Sequence, residues 1–114
     1  MMMNKNDIFI GYLPFSNQLN TGKIRPVLLI AKENELVHVF KITSQYESKS
    51  KHIKKQYYQI QNWEEAGLKK KSWIDIGAAK TIDLNQLKIK KIGQLSINDQ
   101  EHLALFIKAF YGAK

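Results

Sequence analysis

The sequence Lys-Ile-Arg-Pro-Val-Leu-Leu-Ile-Ala at residues 23–31 is an almost unbroken apolar run behind an Arg-Pro pair. Such a run is typical of a strand that is buried on both faces, and it predicts a strand from Arg25 to Ala31. Pro26 has no amide hydrogen and favours an extended backbone at the residue before it. We therefore expect Arg25 at the first and least paired position of the strand, with its side chain projecting from the rim of a sheet.

The segments around this run predict further strands. Residues 8–13 form one before it, and residues 36–42 form one after it, joined through a turn at 32–35 as a hairpin. Shorter strands are predicted over 56–60, 72–76 and 88–92, with a break at 77–79 and a short helix or 3₁₀ turn from residue 81 to 84. The polar stretches 16–23 and 46–55 are predicted to be loops, and residues 63–68 a single helical turn.

The C-terminal segment predicts an amphipathic helix. Ser96 and Asp99 have the spacing of a capping box, and Gly112 is a plausible C-cap. Apolar residues recur at helical spacing on one face of this segment. They are Leu103, Phe106, Ile107 and Phe110.

The charge indicates an acidic partner. The formal net charge is +8 over 114 residues, a length that predicts one domain spanning 1–114. Nucleic acid is the first expectation, an acidic protein segment the second and an anionic membrane surface a distant third. Without cysteine, and with His38, His52 and His102 outside any ligand spacing, we expect no metal and no cofactor. No apolar run approaches the ~20 residues that span a membrane, so we expect no membrane association and a cytoplasmic location.

Arg25 is the only arginine, against 17 lysines. A guanidinium presents a planar fork that binds a phosphate or carboxylate bidentately and keeps its proton. An ordinary surface ion pair is the simpler explanation. However, the next strand ends in Thr43 and Ser44, and antiparallel pairing brings these hydroxyls near Arg25. A guanidinium and hydroxyls at one sheet edge predict a phosphate site.

Four landmarks, in this order, resemble the MazF/PemK toxin family. They are Leu13-Pro14-Phe15, the run 23–30, Ile42-Thr43-Ser44-Gln45 and Lys80-Thr81-Ile82-Asp83. The segments 63–68 and 91–96 resemble the family in spacing too, so the likeness covers almost the whole chain. It implies a mainly β (α+β) fold: a small SH3-like barrel of the CcdB/MazF/PemK type, with short helical insertions and a C-terminal helix.

The resemblance implies the toxin of a type II toxin-antitoxin system, a metal-independent endoribonuclease that cleaves single-stranded RNA. Attack of a 2′-hydroxyl on the adjacent phosphate leaves a 2′,3′-cyclic phosphate and a 5′-hydroxyl. The protein must therefore hold the phosphate, stabilise charge and move two protons. Carried over from the family's Arg-Pro and Thr-Ser pairs, Arg25 is the clamp and Thr43 a hydrogen-bond donor. Ser44 is a second candidate donor.

The general base stays open at this point. PemK-like members carry Arg-x-Asp just before Arg-Thr-Ile-Asp, where this chain has Asp75 and Gly77. The PemK-type assignment of acid and base therefore does not transfer. Asp75 and His38 are candidate bases, although a position of Asp75 on the solvent face of its strand fits the sequence equally well. MazF-like members that lack the Arg-x-Asp pair point instead to Arg25 and Thr43 alone.

Clusters of lysines are either solvated loops or contacts to RNA phosphates. The candidates for RNA binding are Lys23, Lys49, Lys51, Lys54, Lys55, Lys69, Lys70 and Lys71. Core or interface packing is the first expectation for most of the aromatic side chains, and any that are exposed can stack on unpaired bases. The candidates for stacking are Tyr57, Tyr58, Trp63 and Trp73.

The resemblance also implies a homodimer that an acidic, partly disordered antitoxin neutralises. The competing class is a non-catalytic binding module on the same barrel, either CcdB-like or an inactive toxin homologue. CcdB poisons gyrase through a Trp-Gly-Ile terminus, which residues 111–114 of this chain do not match.

Overall fold

The computed structural model describes residues 3–13 and 23–112. This part of the chain forms one antiparallel sheet of six strands and two helices. The strands are β1 (Asp7–Leu13), β2 (Lys23–Glu33), β3 (Leu36–Thr43), β4 (Tyr57–Gln59), β5 (Trp73–Asp83) and β6 (Ile89–Gln94), and the helices are α1 (Lys51–Lys54) and α2 (Ile97–Gly112). The strand order is β4-β5-β3-β2-β1-β6.

The predicted mainly β, barrel-like fold with a C-terminal helix is confirmed, with one qualification. The sheet is not closed, because β4 and β6 form its edges in the described part of the chain. The segment after β4 packs against β6 instead. A Cβ added to Gly93 of β6 would lie 2.0 Å from the carbonyl oxygen of Ala66, so glycine permits this close approach.

The central strand β2 is buried on both faces at its middle, as its apolar run predicted. Leu28 belongs to the apolar cluster that packs under α2, whereas Val27 and Leu29 belong to a second cluster on the other face. This arrangement follows from the alternation of side chains along a strand. The apolar face of α2 is also confirmed, because Leu103 is buried in the first cluster, and the helical residues Phe106, Ile107 and Phe110 pack against it.

The start of β2 differs from the prediction. The strand begins at Lys23, so Arg25 is its third residue and is paired with Gly11 of β1. The reason is that β1 continues alongside residues 23–28, while the pairing with β3 starts only at Val27. Pro26 lacks an amide hydrogen, and it lies in the part of β2 that pairs with β1 but not with β3.

The other corrections concern the ends of β5 and the two loops. Residues 81–83 are not helical but finish β5, because they pair with residues 36–38 of β3. The predicted break at 77–79 is an irregularity within this strand, since the register shifts between Phe40 and Lys41. The predicted loop 46–55 contains α1, and residues 16–22 of the other predicted loop lie outside the described residues.

Two searches of the described residues gave negative results. No helix among them has the length and apolar character needed to cross a membrane. Within the same residues, no three His, Asp or Glu side chains are grouped so that they can hold a metal ion.

Candidate functional site

The central strands place Arg25 and Thr43 at the same end of the sheet. Val27 of β2 pairs with Lys41 of β3, and this is the last pair between the two strands at that end. Arg25 lies two residues beyond Val27, where Gly11 of β1 is its paired neighbour, and Thr43 lies two residues beyond Lys41. Residues two apart on a strand share a face, so Arg25 and Thr43 follow the paired residues Val27 and Lys41 on one sheet surface. Arg25 is close enough to Lys41 to lower the pKa of its ammonium.

A second row of residues lies next to this pair on the same surface. Lys41 pairs with Val27 on one side and with Asp75 of β5 on the other, and Asp75 pairs with Tyr57 of β4. Side chains two residues apart on a strand point to the same face, so Lys41 shares the face of Thr43. We call the face that carries Arg25, Thr43, Lys41 and Asp75 the site face; it lies opposite the face that packs α2.

The site face is polar at one end and apolar at the other. Beyond Lys41, the same side of β3 carries Val39 and Val37, which belong to the second apolar cluster with Val27 and Phe9. The polar residues therefore border a packed apolar layer. Such a layer restrains the side chains next to it and lowers the local dielectric, which strengthens their charge interactions.

Asp75 is almost completely buried, with 5% of its surface exposed. Its Oδ1 accepts hydrogen bonds from Gln56 Nε2 at 2.8 Å and from the Gly77 amide at 2.9 Å. A Cβ on Gly77 would lie 2.2 Å from the Gln56 amide carbon, so glycine leaves room for Gln56 to reach the carboxylate. The alternative that Asp75 lies on the solvent face of its strand is therefore wrong.

Lys41 is a site residue that the sequence analysis did not identify. Burial lowers the pKa of its ammonium, Asp75 opposes that change, and the cations Lys49, Arg25 and Lys80 lower the pKa further. These interactions gather four cationic side chains and one carboxylate, all among the described residues, into a single electrostatic group. A lysine inside an apolar strand, two positions before Thr43, was the available signal.

The hydroxyls of Thr43 and Ser44 have different surroundings. Thr43 is buried, and its Oγ1 accepts a hydrogen bond from the Gln45 amide at 3.0 Å. Accepting uses a lone pair, so the hydroxyl hydrogen remains a donor whose orientation this contact helps to set. Ser44 is exposed and lies directly after the end of β3.

An aromatic stack lies beside Thr43. The Tyr46 ring stacks on Trp73 with centroids 4.7 Å apart and planes at 8°, and Trp73 is the β5 residue paired with Thr43. The ammonium of Lys54 lies 4.8 Å from the centre of the Tyr46 ring, and that of Lys71 lies 5.8 Å from the Trp73 ring. The stack thereby contacts lysines from two separate segments, Lys54 and Lys71, beside Thr43.

The four aromatic residues considered for base stacking pack in the fold, as first expected, and the condition of exposure is not met. Tyr57, Tyr58 and Trp73 are buried, and Trp63 is a half-buried residue packed against the apolar cluster under α2. Their large apolar areas are used in packing and are therefore not available to an unpaired base.

The predicted RNA-binding lysines occupy different parts of the fold. Lys49 interacts electrostatically with Lys41, while Lys54 and Lys71 flank the aromatic stack. Exposed positions are held by Lys51, Lys55, Lys69 and Lys70. Lys23 begins β2, two residues from Arg25.

His38 lies outside the site. It pairs with Ala31 and Thr81, and its Nδ1 lies 3.0 Å from the Thr81 hydroxyl oxygen. Thr43 is five positions further along β3, a distance of about 16 Å, and alternation turns His38 to the other face. The structure therefore does not support His38 as the base.

The fold and this surface define a small, mainly β protein with a basic site on one face of its sheet. The model of the PemK-like, MazF-like toxin family of type II toxin-antitoxin systems matches residues 4–111. The chain belongs to this family. A comparison with curated proteins found no match.

Solved structures share the fold at low sequence identity. The Mycobacterium tuberculosis toxin MazF-mt6 is 22% identical with a TM-score of 0.67, covering 93% of this chain and 96% of that one. A Deinococcus radiodurans MazF is 12% identical with a TM-score of 0.65, covering 98% of each chain. A MazE–MazF structure from the same organism is 9% identical with a TM-score of 0.64, covering 96% of each chain. At these identities the likeness concerns the fold alone.

Proposed function

We propose that this toxin is a metal-independent endoribonuclease that cleaves single-stranded RNA in the cytoplasm. The 2′-hydroxyl of the substrate attacks the adjacent phosphate and leaves a 2′,3′-cyclic phosphate and a 5′-hydroxyl. The observation that carries the proposal is that Arg25 and Thr43 each lie two residues beyond the pair Val27–Lys41, on a surface where cations outnumber carboxylates. Membership of a toxin family supports it.

In this mechanism Arg25 and Thr43 bind the scissile phosphate. The guanidinium of Arg25 donates two hydrogen bonds to non-bridging oxygens and stabilises the extra negative charge of the transition state. The Thr43 hydroxyl donates a third, and Ser44 is a secondary donor. Because these groups are held by a packed sheet, little reorganisation accompanies the reaction.

Asp75 is the proposed base that removes the 2′-hydroxyl proton. Two N–H donors to its Oδ1 fix the orientation of its carboxyl group, and Asp75 pairs with Lys41 across the sheet. A carboxylate beside the phosphate site has the acceptor capacity that this step requires.

The lysines around the site bind RNA phosphates other than the one that is cleaved. Those beside the site are Lys49, Lys54 and Lys71, and those further out are Lys51, Lys55, Lys69 and Lys70. Lys23, at the start of β2, is the remaining candidate. Phosphate contacts of this kind raise affinity without reading sequence, and they make binding weaken as salt rises.

The partners we propose are a second copy of the chain and an acidic antitoxin. A net charge of +8 attracts an acidic segment to the surface that binds RNA, so the antitoxin inhibits by covering it. The MazE–MazF neighbour supports an antitoxin partner. Light scattering of the isolated chain tests the homodimer, and a strict monomer contradicts it. Competition between an acidic antitoxin peptide and RNA tests the overlap, and neutralisation without loss of RNA affinity contradicts it.

The decisive experiment is cleavage of RNA by the purified protein in EDTA. Sequencing the new 5′ ends maps the site, and mass spectrometry of a short oligonucleotide identifies the termini. We expect a 2′,3′-cyclic phosphate and a 5′-hydroxyl. An Arg25→Lys preparation, purified identically, controls for contaminating ribonuclease.

Two results would overturn the proposal. Products with a 3′-hydroxyl and a 5′-phosphate, or complete loss of cleavage in EDTA, would reject attack by the 2′-hydroxyl. RNA binding without any cleavage would favour the non-catalytic module instead.

A further inference from the structure

Lys41 occupies the middle of the site face and has no role in the reaction described so far. We propose that Lys41 is a catalytic residue, the general acid that protonates the departing 5′-oxygen. The assignment rests on the proposed ribonuclease function.

The position of Lys41 allows this role. It lies two residues from Thr43 on the same side of β3, a separation of about 6.6–6.8 Å between Cα atoms. It is also the diagonal neighbour of Arg25, because it pairs with Val27 two positions further along β2. Diagonal neighbours in a sheet lie about 7–8 Å apart, within reach of long side chains. The flexible lysine arm can therefore bring its ammonium to a phosphate held by Arg25 and Thr43.

The chemistry requires a proton at this point. The 5′-oxygen leaves as an alkoxide, a very poor leaving group unless it is protonated as the bond breaks. A guanidinium keeps its proton and a threonine hydroxyl is a weaker acid still, so neither Arg25 nor Thr43 readily supplies a proton. An ammonium is the better donor among the groups that face the phosphate.

The surroundings make the Lys41 ammonium a stronger acid than an ordinary lysine. Burial is the largest cause of its lowered pKa, and Lys49 from the segment after β3, Arg25 from β2 and Lys80 from β5 act in the same direction. Asp75 from β5 acts oppositely and favours the protonated ammonium. From β4, Tyr57 faces the same carboxylate.

The step balances without another reactant. The 2′-oxygen forms a bond to phosphorus while Asp75 takes its proton. The bond between phosphorus and the 5′-oxygen breaks, its electron pair stays on oxygen, and Lys41 supplies the proton that makes the 5′-hydroxyl. Lys41 is then a neutral amine and Asp75 a carboxylic acid. Exchange of one proton with water at each group restores the starting state.

The test compares two leaving groups in Lys41→Arg, which keeps the charge but holds its proton too tightly. The probe is a short oligoribonucleotide carrying the mapped cleavage site, with either oxygen or sulfur at the bridging 5′ position. A thiol has a pKa of about 8.5, so sulfur leaves without protonation. We expect Lys41→Arg to cleave the oxygen substrate about 10²-fold more slowly than the parent protein and the sulfur substrate at nearly the parent rate.

Two further variants make the comparison specific. Lys32→Arg, an exposed lysine near the far end of β2, should cleave both substrates as the parent does. Arg25→Lys should be slow on both, because a phosphate clamp acts whatever the leaving group. The parent pH profile of kcat/KM should fall at a pH below the ordinary lysine value of 10.5, and this alkaline limb should move upward in Lys41→Arg.

The outcomes separate this assignment from the function on which it rests. Parental activity of Lys41→Arg on oxygen, or an equal loss on oxygen and sulfur, overturns the general acid. If circular dichroism shows that Lys41→Arg is unfolded, Lys41→Gln takes its place. Because glutamine also removes the charge, both substrates should then be cleaved more slowly, but the oxygen substrate by a much larger factor than the sulfur substrate. If the parent protein cleaves RNA but Lys41→Arg remains slow on the sulfur substrate, only the role of Lys41 is rejected. If the parent protein cleaves neither substrate, both the ribonuclease function and the role of Lys41 are rejected.

Discussion

Two buried carboxylates, Asp99 and Asp75, show how differently one residue type is used in two regions of this molecule. Asp99 is completely buried near the start of α2. Its Oδ1 accepts hydrogen bonds from the Tyr58 hydroxyl at 2.6 Å and the Gln61 amide at 2.9 Å, and its Oδ2 accepts from the Asn62 amide at 2.8 Å and the Ser96 hydroxyl at 3.2 Å. Neutral donors thus stabilise this charge, and they tie α2 to the chain that leaves β4.

Asp75 has fewer donors and more charge around it. Gln56 and the Gly77 amide bind its Oδ1, while Lys41 and the cations near that lysine surround the site. The carboxylate offsets only part of this positive charge. The comparison indicates that the α2 region is satisfied within the fold, whereas the site face holds excess positive charge for an external anion.

Replacing Arg25 by lysine should reduce RNA cleavage more than any of the other substitutions. The charge remains but the planar fork is lost, so we expect cleavage to fall by ~10²–10³-fold while the melting temperature is unchanged. Single-turnover kinetics and thermal denaturation measure the two quantities. Cleavage near the parent rate would mean that Arg25 is not a bidentate clamp.

Replacing Asp75 by asparagine sharpens the contrast between the two carboxylates. Asparagine can still accept from Gln56 and Gly77, so the fold should persist. We expect kcat to fall by ~10²-fold because the base is lost. We also expect low-salt RNA affinity to rise about fivefold, since a charge about 4 Å away contributes about 1 kcal/mol in water. An unchanged kcat with tighter binding would reduce Asp75 to a charge partner of Lys41.

Replacing Asp99 by asparagine should show the opposite behaviour. The new amide nitrogen carries hydrogens and cannot accept the hydrogen bonds that one carboxylate oxygen accepts from its buried donors. An unsatisfied buried polar group costs ~1–3 kcal/mol. We expect the free energy of unfolding to fall by about 2–3 kcal/mol in urea titrations, with kcat unchanged where the variant is folded. A selective loss of kcat in fully folded protein would connect this region to the site.

The smallest effect should come from Tyr58→Phe, and it depends on pH. Burial, then the hydrogen bond to Asp99, then the Asp99 charge raise the pKa of Tyr58 in the folded protein above its ordinary 10.0. This contribution to stability is fully present below pH 10 and is lost as the pH rises toward the higher folded-state pKa.

Tyr58→Phe should therefore lower stability by ~1 kcal/mol at pH 8. The difference in unfolding free energy between the parent and the variant should shrink above pH 10, by at most ~1.4 kcal/mol per pH unit. Urea titrations at pH 8 and at pH 11 measure it. A difference that does not depend on pH would show that the Tyr58 hydroxyl is not linked to Asp99 in this way.

The sequence by itself determined the class of fold and the elements of the central sheet. The run 23–31 specified a strand buried on both faces because apolar residues on every side of an extended chain require packing above and below it. Spacing placed Leu103, Phe106, Ile107 and Phe110 on one side of α2, and these residues pack in or against the first apolar cluster. Spacing also placed Ser96 at the start of α2, where its hydroxyl oxygen accepts a hydrogen bond from the Asp99 amide. The only arginine indicated one member of the candidate site.

Only the tertiary structure decided which side chains share that site. Lys41 looks like one of 17 lysines until β2 and β5 pair on either side of it, and His38 is excluded by strand distance and alternation. The irregularity in β5 brings Gln56 and the Gly77 amide onto Asp75, which no spacing along the chain specifies. The reason is physical: burial and charge interactions depend on distances between strands, and pairing register sets those distances only when the whole sheet has formed.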